Sequence, residues 1–145
     1  MKKHITYLKK LNACGNAVEW AGQFPTLQRA WDVCERGDWM LWLLGKQSGP
    51  PKSKSRKKLV LAACKCARLA LKYIPKDEKR PLKAIQVAEK WSRGDTSISL
   101  QDIRNAAAAA YAAAAADAAA DAVRTKILKK CADIVRKDYP KIRIK

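Results

Sequence analysis

Apolar residues recur every three or four positions along this chain, and no segment alternates apolar and polar residues over a strand's length. The pattern predicts helices throughout. Ala13, Ala17 and Trp20 share one face of a first helix, which Phe24-Pro25 ends. Thr26 is an N-cap for the next, where Leu27, Ala30, Trp31 and Cys34 stand at i, i+3, i+4 and i+7. Arg36-Gly37-Asp38 closes that helix with a glycine and opens another with a capping aspartate. Trp39-Met40-Leu41-Trp42-Leu43-Leu44 is apolar all round, so it predicts a short helix at the buried centre of the N-terminal half, stopped by Gly45.

A basic stretch rich in Gly, Pro and Ser follows, then a helix predicted from Lys57 to Ile74 with an apolar stripe of Leu59, Ala63, Cys66, Ala70 and Tyr73. Pro75 ends it. Pro81 suits the first position of the next helix, whose buried face is Ala84, Val87, Ala88 and Trp91, and Arg93-Gly94-Asp95 terminates it. Ser99-Leu100-Gln101-Asp102 has the form of a capping box. Behind it residues 106–122 are alanine apart from Tyr111, Asp117 and Asp121. Alanine has the highest helix propensity, so this tract predicts helix, and its small side chains would let a neighbouring helix or a second copy approach closely. Ile127, Leu128, Cys131, Ile134 and Val135 resume larger packing up to Tyr139-Pro140. The expectation is an all-α, compact multi-helix bundle with a long Ala-rich C-terminal helix. It forms one domain over 1–145, with Trp-rich helices at 1–46, a basic Pro/Ser linker or loop at 47–56 and a larger helical part at 57–138.

Charge changes the picture most. The 145 residues carry 31 Lys or Arg against 13 Asp or Glu, a net charge of +18. Self-repulsion on that scale points to an anionic partner, nucleic acid first and an acidic protein second. Residues 46–83 hold 13 bases and two acids, and residues 124–145 hold nine and two. Lys52, Lys54, Arg56, Lys57, Lys58, Lys65, Arg68 and Lys72 form an almost unbroken patch along the linker and the helix after it, and these are the candidate nucleic-acid or polyanion contacts. Such contacts reach mainly phosphate, giving affinity with little sequence choice. The tryptophans, at helical spacing, read as core.

Enzymatic chemistry is not expected. The one histidine, His4, lies near a terminus, which weakens any Cys/His or Ser/His arrangement. Asp117 and Asp121 sit one turn apart but read as solvated or matched to Arg124. Cys14, Cys34, Cys64, Cys66 and Cys131 contain no Cys-x-x-Cys pair, so no metal and no cofactor is expected. An odd cysteine count without a secretory signal predicts free, mostly buried thiols and a cytoplasmic protein. No stretch approaches the ~18 apolar residues of a membrane span.

The segment Lys79-Arg80-Pro81-Leu82-Lys83-Ala84-Ile85-Gln86-Val87-Ala88-Glu89-Lys90-Trp91, then Arg93-Gly94-Asp95 and the Ala-rich tract, resembles a bacterial immunity-protein family that carries Arg-Pro-x-x-Ala-Ile, a short Gly turn and an Ala-rich helix. The resemblance spans roughly residues 58–122. Ala30-Trp31-Asp32-Val33-Cys34-Glu35-Arg36-Gly37-Asp38-Trp39-Met40-Leu41-Trp42-Leu43 is similar to small proteins of phages and mobile elements. Both resemblances imply an all-helical, non-catalytic binder that neutralises a toxin or a host defence effector. Immunity proteins that occlude nucleases are commonly acidic. A chain at +18 would instead grip an acidic target or bind the nucleic acid itself.

Overall fold

In the computed structural model, which describes residues 1–103 and 121–145, the chain is all-α. The helices are α1 (Lys3–Lys10), α2 (Gly15–Ala21), α3 (Leu27–Val33), α4 (Gly37–Gln47), α5 (Lys54–Arg68), α6 (Arg80–Ser92) and α7 (Asp121–Asp138), with a 3-10 turn at Leu71–Tyr73. A further helix starts at 100–103. The Ala-rich tract, the association proposed for it and the Asp117–Asp121 pair lie outside the described residues or side chains. The chain divides into two compact units, one of Met1–Gln47 with Leu128–Lys145 and the other of Ser48–Ile127.

The first unit is built from both parts of its sequence. Asn12 closes the turn after α1: its φ of 61° lies in the left-handed region that asparagine tolerates, and Ala13 N–H returns to Leu8 C=O at 3.0 Å. His4, expected near a frayed end, is instead 2% exposed, with Nε2 3.0 Å from the Ala21 carbonyl oxygen. The reason is that α1 packs on α2, a tertiary contact that terminal position in the sequence does not report. Thr26 caps α3 as its sequence suggests, accepting from Arg29 N–H at 3.2 Å. The core gathers Leu8, Ala30, Trp31, Met40, Leu43, Ala132 and Val135.

α4 differs from the expectation at both ends. It begins at Gly37 and runs through Gly45 to Gln47, and Asp38 sits within its first turn, paired with Arg36. Gly37 is required by packing: a Cβ there would fall on Cys131 Sγ and come 2.5 Å from Cys131 Cβ and 2.8 Å from Ala132 N.

Residues after α7 are held tightly. Trp31 Nε1 donates to Tyr139 C=O at 2.8 Å, Ile142 N–H donates to Gln28 Oε1 at 2.9 Å, and Gln47 Nε2 donates to Arg143 C=O at 2.6 Å. Arg136 donates to the Trp31 and Cys34 carbonyls at 3.1 and 2.6 Å, closing the C-terminus of α3. Part of the cationic surplus at 124–145 is therefore spent on the fold.

In the second unit α5 packs on α6, burying Leu59, Ala62, Cys64, Ile85 and Trp91. α5 starts at Lys54, three residues before the predicted Lys57, because Ser53 Oγ accepts from Arg56 N–H at 3.2 Å. Pro81 sits in the first turn of α6. Gly94, at φ 100°, ends that helix: Gly94 N–H bonds Trp91 C=O at 3.1 Å and Asp95 N–H bonds Lys90 C=O at 3.0 Å. The capping box forms reciprocally, Ser99 N–H to Asp102 Oδ2 at 2.9 Å and Asp102 N–H to Ser99 Oγ at 3.1 Å.

Candidate functional site

At 100° per residue, Lys54, Lys58 and Lys65 fall within about 40° of one another on α5. All three are exposed. Lys57 and Arg68 border this stripe on one side. Lys57 is half-buried, with Nζ 5.6 Å from the Trp91 ring centroid, so its charge lies along an aromatic face. Arg68 reaches across to α6, where its guanidinium takes both oxygens of Glu89, Nε to Oε2 at 3.1 Å and Nη2 to Oε1 at 2.5 Å. That hydrogen bond holds the Glu89 carboxyl below its ordinary range, and Glu89 also lies 4.0 Å from Arg93.

The remaining candidates lie apart from the stripe. Arg56 is turned away on the wheel, and its Nη2 donates to Gly49 C=O at 3.4 Å, tying down the turn before α5. Lys52 is exposed on that turn. Lys72 is in the 3-10 turn, 5.1 Å from the Tyr73 ring centroid. The structure thus brings Lys54, Lys58 and Lys65 onto one exposed line, places Lys57 and Arg68 against α6, and sets Lys52, Arg56 and Lys72 elsewhere. Lys83 and Lys90, one heptad apart on α6, are further exposed cations. Their i, i+7 spacing was visible in the sequence.

The cysteines divide. Cys14 is an exposed thiol, and Cys34 and Cys64 are buried thiols. Cys66 and Cys131, expected free, are disulfide-bonded, because spacing along the chain does not report which cysteines find a partner. Burial pushes the Cys64 thiol up to about 11, and its Sγ lies 3.9 Å from Ile85 C=O. Among the described residues no three His, Cys, Asp or Glu side chains gather at metal-binding distance, and no helix is long and apolar enough to cross a membrane.

The tryptophans also divide, against the expectation that they are core. Trp31 and Trp91 are buried, Trp20 and Trp39 are half-buried, and Trp42 is 37% exposed. An all-apolar helix cannot bury its whole circumference when the elements around it cover only one side, as α4 shows.

Residues 50–134 match the family model described as Imm-5 like putative immunity protein. No curated protein and no solved structure matches the chain. The match covers α5, its lysine stripe and α6, and leaves residues 1–49 outside.

Proposed function

The chain belongs to the Imm-5 like putative immunity protein family, and on that premise we propose that it is a non-catalytic inhibitor that docks stoichiometrically on an acidic protein effector of toxin type. The observation that carries the reading is the stripe of Lys54, Lys58 and Lys65, exposed on one face of α5 within the matched segment. Residues 48–127 hold 17 Lys or Arg against seven Asp or Glu, so this unit attracts a negative surface and repels a positive one. An exposed charge pair is worth only ~0.2–1 kcal/mol. The stripe therefore steers encounter and selects partners, while affinity comes from apolar contacts elsewhere in the interface.

Nucleic acid would use the same lysines, and the two readings separate by experiment. Genes neighbouring this one are expressed singly, and for one that kills the host, survival is scored with the wild-type chain and with Lys54→Glu/Lys58→Glu/Lys65→Glu. Protein inhibition predicts protection by the wild type, protection lost or weakened at least tenfold in the triple variant, and no retention of the chain on random duplex at physiological salt. Full protection by a folded triple variant overturns the role of the stripe. Tight duplex binding that weakens steeply with salt moves the assignment to nucleic acid.

A further inference from the structure

The Met1–Gln47, Leu128–Lys145 unit contains an open cleft of about 380 Å³. This is the size of clefts that take ligands. Trp20, Trp39 and Trp42 wall it, and the small side chains Ala13 and Ala17 leave it empty. Trp20 stacks obliquely on Phe24 at 4.8 Å and on Trp39 at 5.9 Å, so the indole walls are held in place. The charged group in the lining is Asp38, and Arg36 already takes both of its oxygens at 2.8 and 2.7 Å. A mainly apolar, aromatic hollow with its one carboxylate neutralised is a good fit to a large apolar side chain.

At the rim Lys46 is a cation 5.5 Å from the Trp42 centroid, while Arg36, 4.3 Å from the Trp39 centroid, is already matched by Asp38. Lys9 and Lys10 are exposed in the last turn of α1, between Leu8 and Asn12 of the lining. Among the described residues no carboxylate pairs with Lys9, Lys10 or Lys46. Exposed Glu19, Asp32 and Glu35 each stand one residue from the lining, but Glu35 lies 3.7 Å from Lys129 and Asp32 accepts from Gln28 Nε2 at 2.8 Å. The unit as a whole holds 14 Lys or Arg against six Asp or Glu. A second copy of this chain, itself at +18, is repelled by such a rim.

We propose that this cleft receives an acidic amphipathic segment of a protein partner, an aromatic or leucine side chain seated between the three indoles with Asp or Glu one turn away facing Lys46, Lys9 and Lys10. Anchor-in-groove recognition supplies the apolar contact that the α5 stripe lacks. The inference rests on this chain's being a protein binder, but not on the α5 lysines, and it lies in the part of the chain that the family match leaves out.

The test uses the full chain and a fluorescein-labelled helical peptide with Leu and Phe at i and i+4 among glutamates. The expected result is saturable binding with a shift in tryptophan emission. Affinity should fall at least tenfold when the two anchors become alanine, and be lost when the glutamates become lysine. Ala17→Trp, which fills the hollow, should reduce binding at least tenfold, and Lys46→Glu several-fold. Should Ala17→Trp not fold, N-ethylmaleimide on Cys14, the exposed thiol in the lining, places bulk in the folded cleft and should have the same effect. Lys54→Glu/Lys58→Glu/Lys65→Glu should bind this peptide as the wild type does, which separates failure here from failure of the α5 assignment. Equal binding of the alanine-anchored peptide, indifference to the filled cleft, or no saturable binding overturns the proposal.

Discussion

Alanine at position 37 adds one carbon where α4 and α7 already touch. The new Cβ would stand 2.5 Å from Cys131 Cβ and 2.8 Å from Ala132 N. Carbon contacts are comfortable at about 3.5–4.0 Å, so the two helices must part by roughly 1 Å. A side chain cannot swing away to relieve this, because one of the atoms met is backbone. Parting them loosens the tightest region of the unit, where Met40 is 2% exposed and Ala132 and Val135 are 0%. Overpacking of this kind costs about 1–3 kcal/mol. Alanine's helical advantage over glycine returns at most about 1 kcal/mol, and less at a first helical position. We therefore expect Gly37→Ala to lose about 1–2 kcal/mol, lowering Tm by roughly 3–8 °C for a chain of this size. Gly15→Ala is the control: it also opens a helix, and its Cβ would meet nothing within 4 Å. It should leave Tm unchanged or raise it. Paired thermal and urea melts followed by circular dichroism decide the matter. A Gly37→Ala melt equal to that of Gly15→Ala would refute the packing argument.

Other consequences are open to simple measurement. Iodoacetamide at neutral pH should modify Cys14 first and Cys64 and Cys34 slowly, since burial raises both of the latter thiols, Cys64 to about 11; peptide mapping that finds Cys64 labelled as fast as Cys14 would contradict their burial. Arg136→Ala leaves the Trp31 and Cys34 carbonyls without their donor and should cost about 1–3 kcal/mol in urea melts, whereas a neutral outcome would mean water replaces the guanidinium. Glu89 is held below its ordinary range by Arg68, so its contribution is present above the unfolded carboxylate value near ~4.3 and is lost as pH falls through the lower folded one. With Arg68 44% exposed the effect is small, under about 1 kcal/mol, and Glu89→Gln should flatten the Tm-against-pH curve below about pH 4.5.

What could be read from the chain beforehand was its local chemistry. Thr26, Ser53 and Gly94 act within a few residues of themselves, and so does the Ser99–Asp102 box, so helix termini follow from adjacent letters. Even there, proximity to two rules misled: Asp38 looked like a cap, but its stronger partner was the guanidinium of Arg36. The α5 stripe was legible because helical spacing alone places Lys54, Lys58 and Lys65 together. Which cations were committed elsewhere was not, since Arg68 meets Glu89 from 21 residues away and Arg136 meets Cys34 from 102. The aromatic cleft escaped for the same reason. Tryptophan in an apolar run signals burial, and only the arrangement of α1 to α4 shows that α4 is left partly uncovered.

The tail that follows α7 carries a consequence for biosynthesis. Tyr139, Ile142 and Arg143 are fastened to Trp31, Gln28 and Gln47, residues translated far earlier. The nascent N-terminal helices must wait, with their indoles uncovered, until residues 139–143 have left the ribosome. Truncation before Tyr139 would deprive the product of its clasp and expose the fragment to degradation.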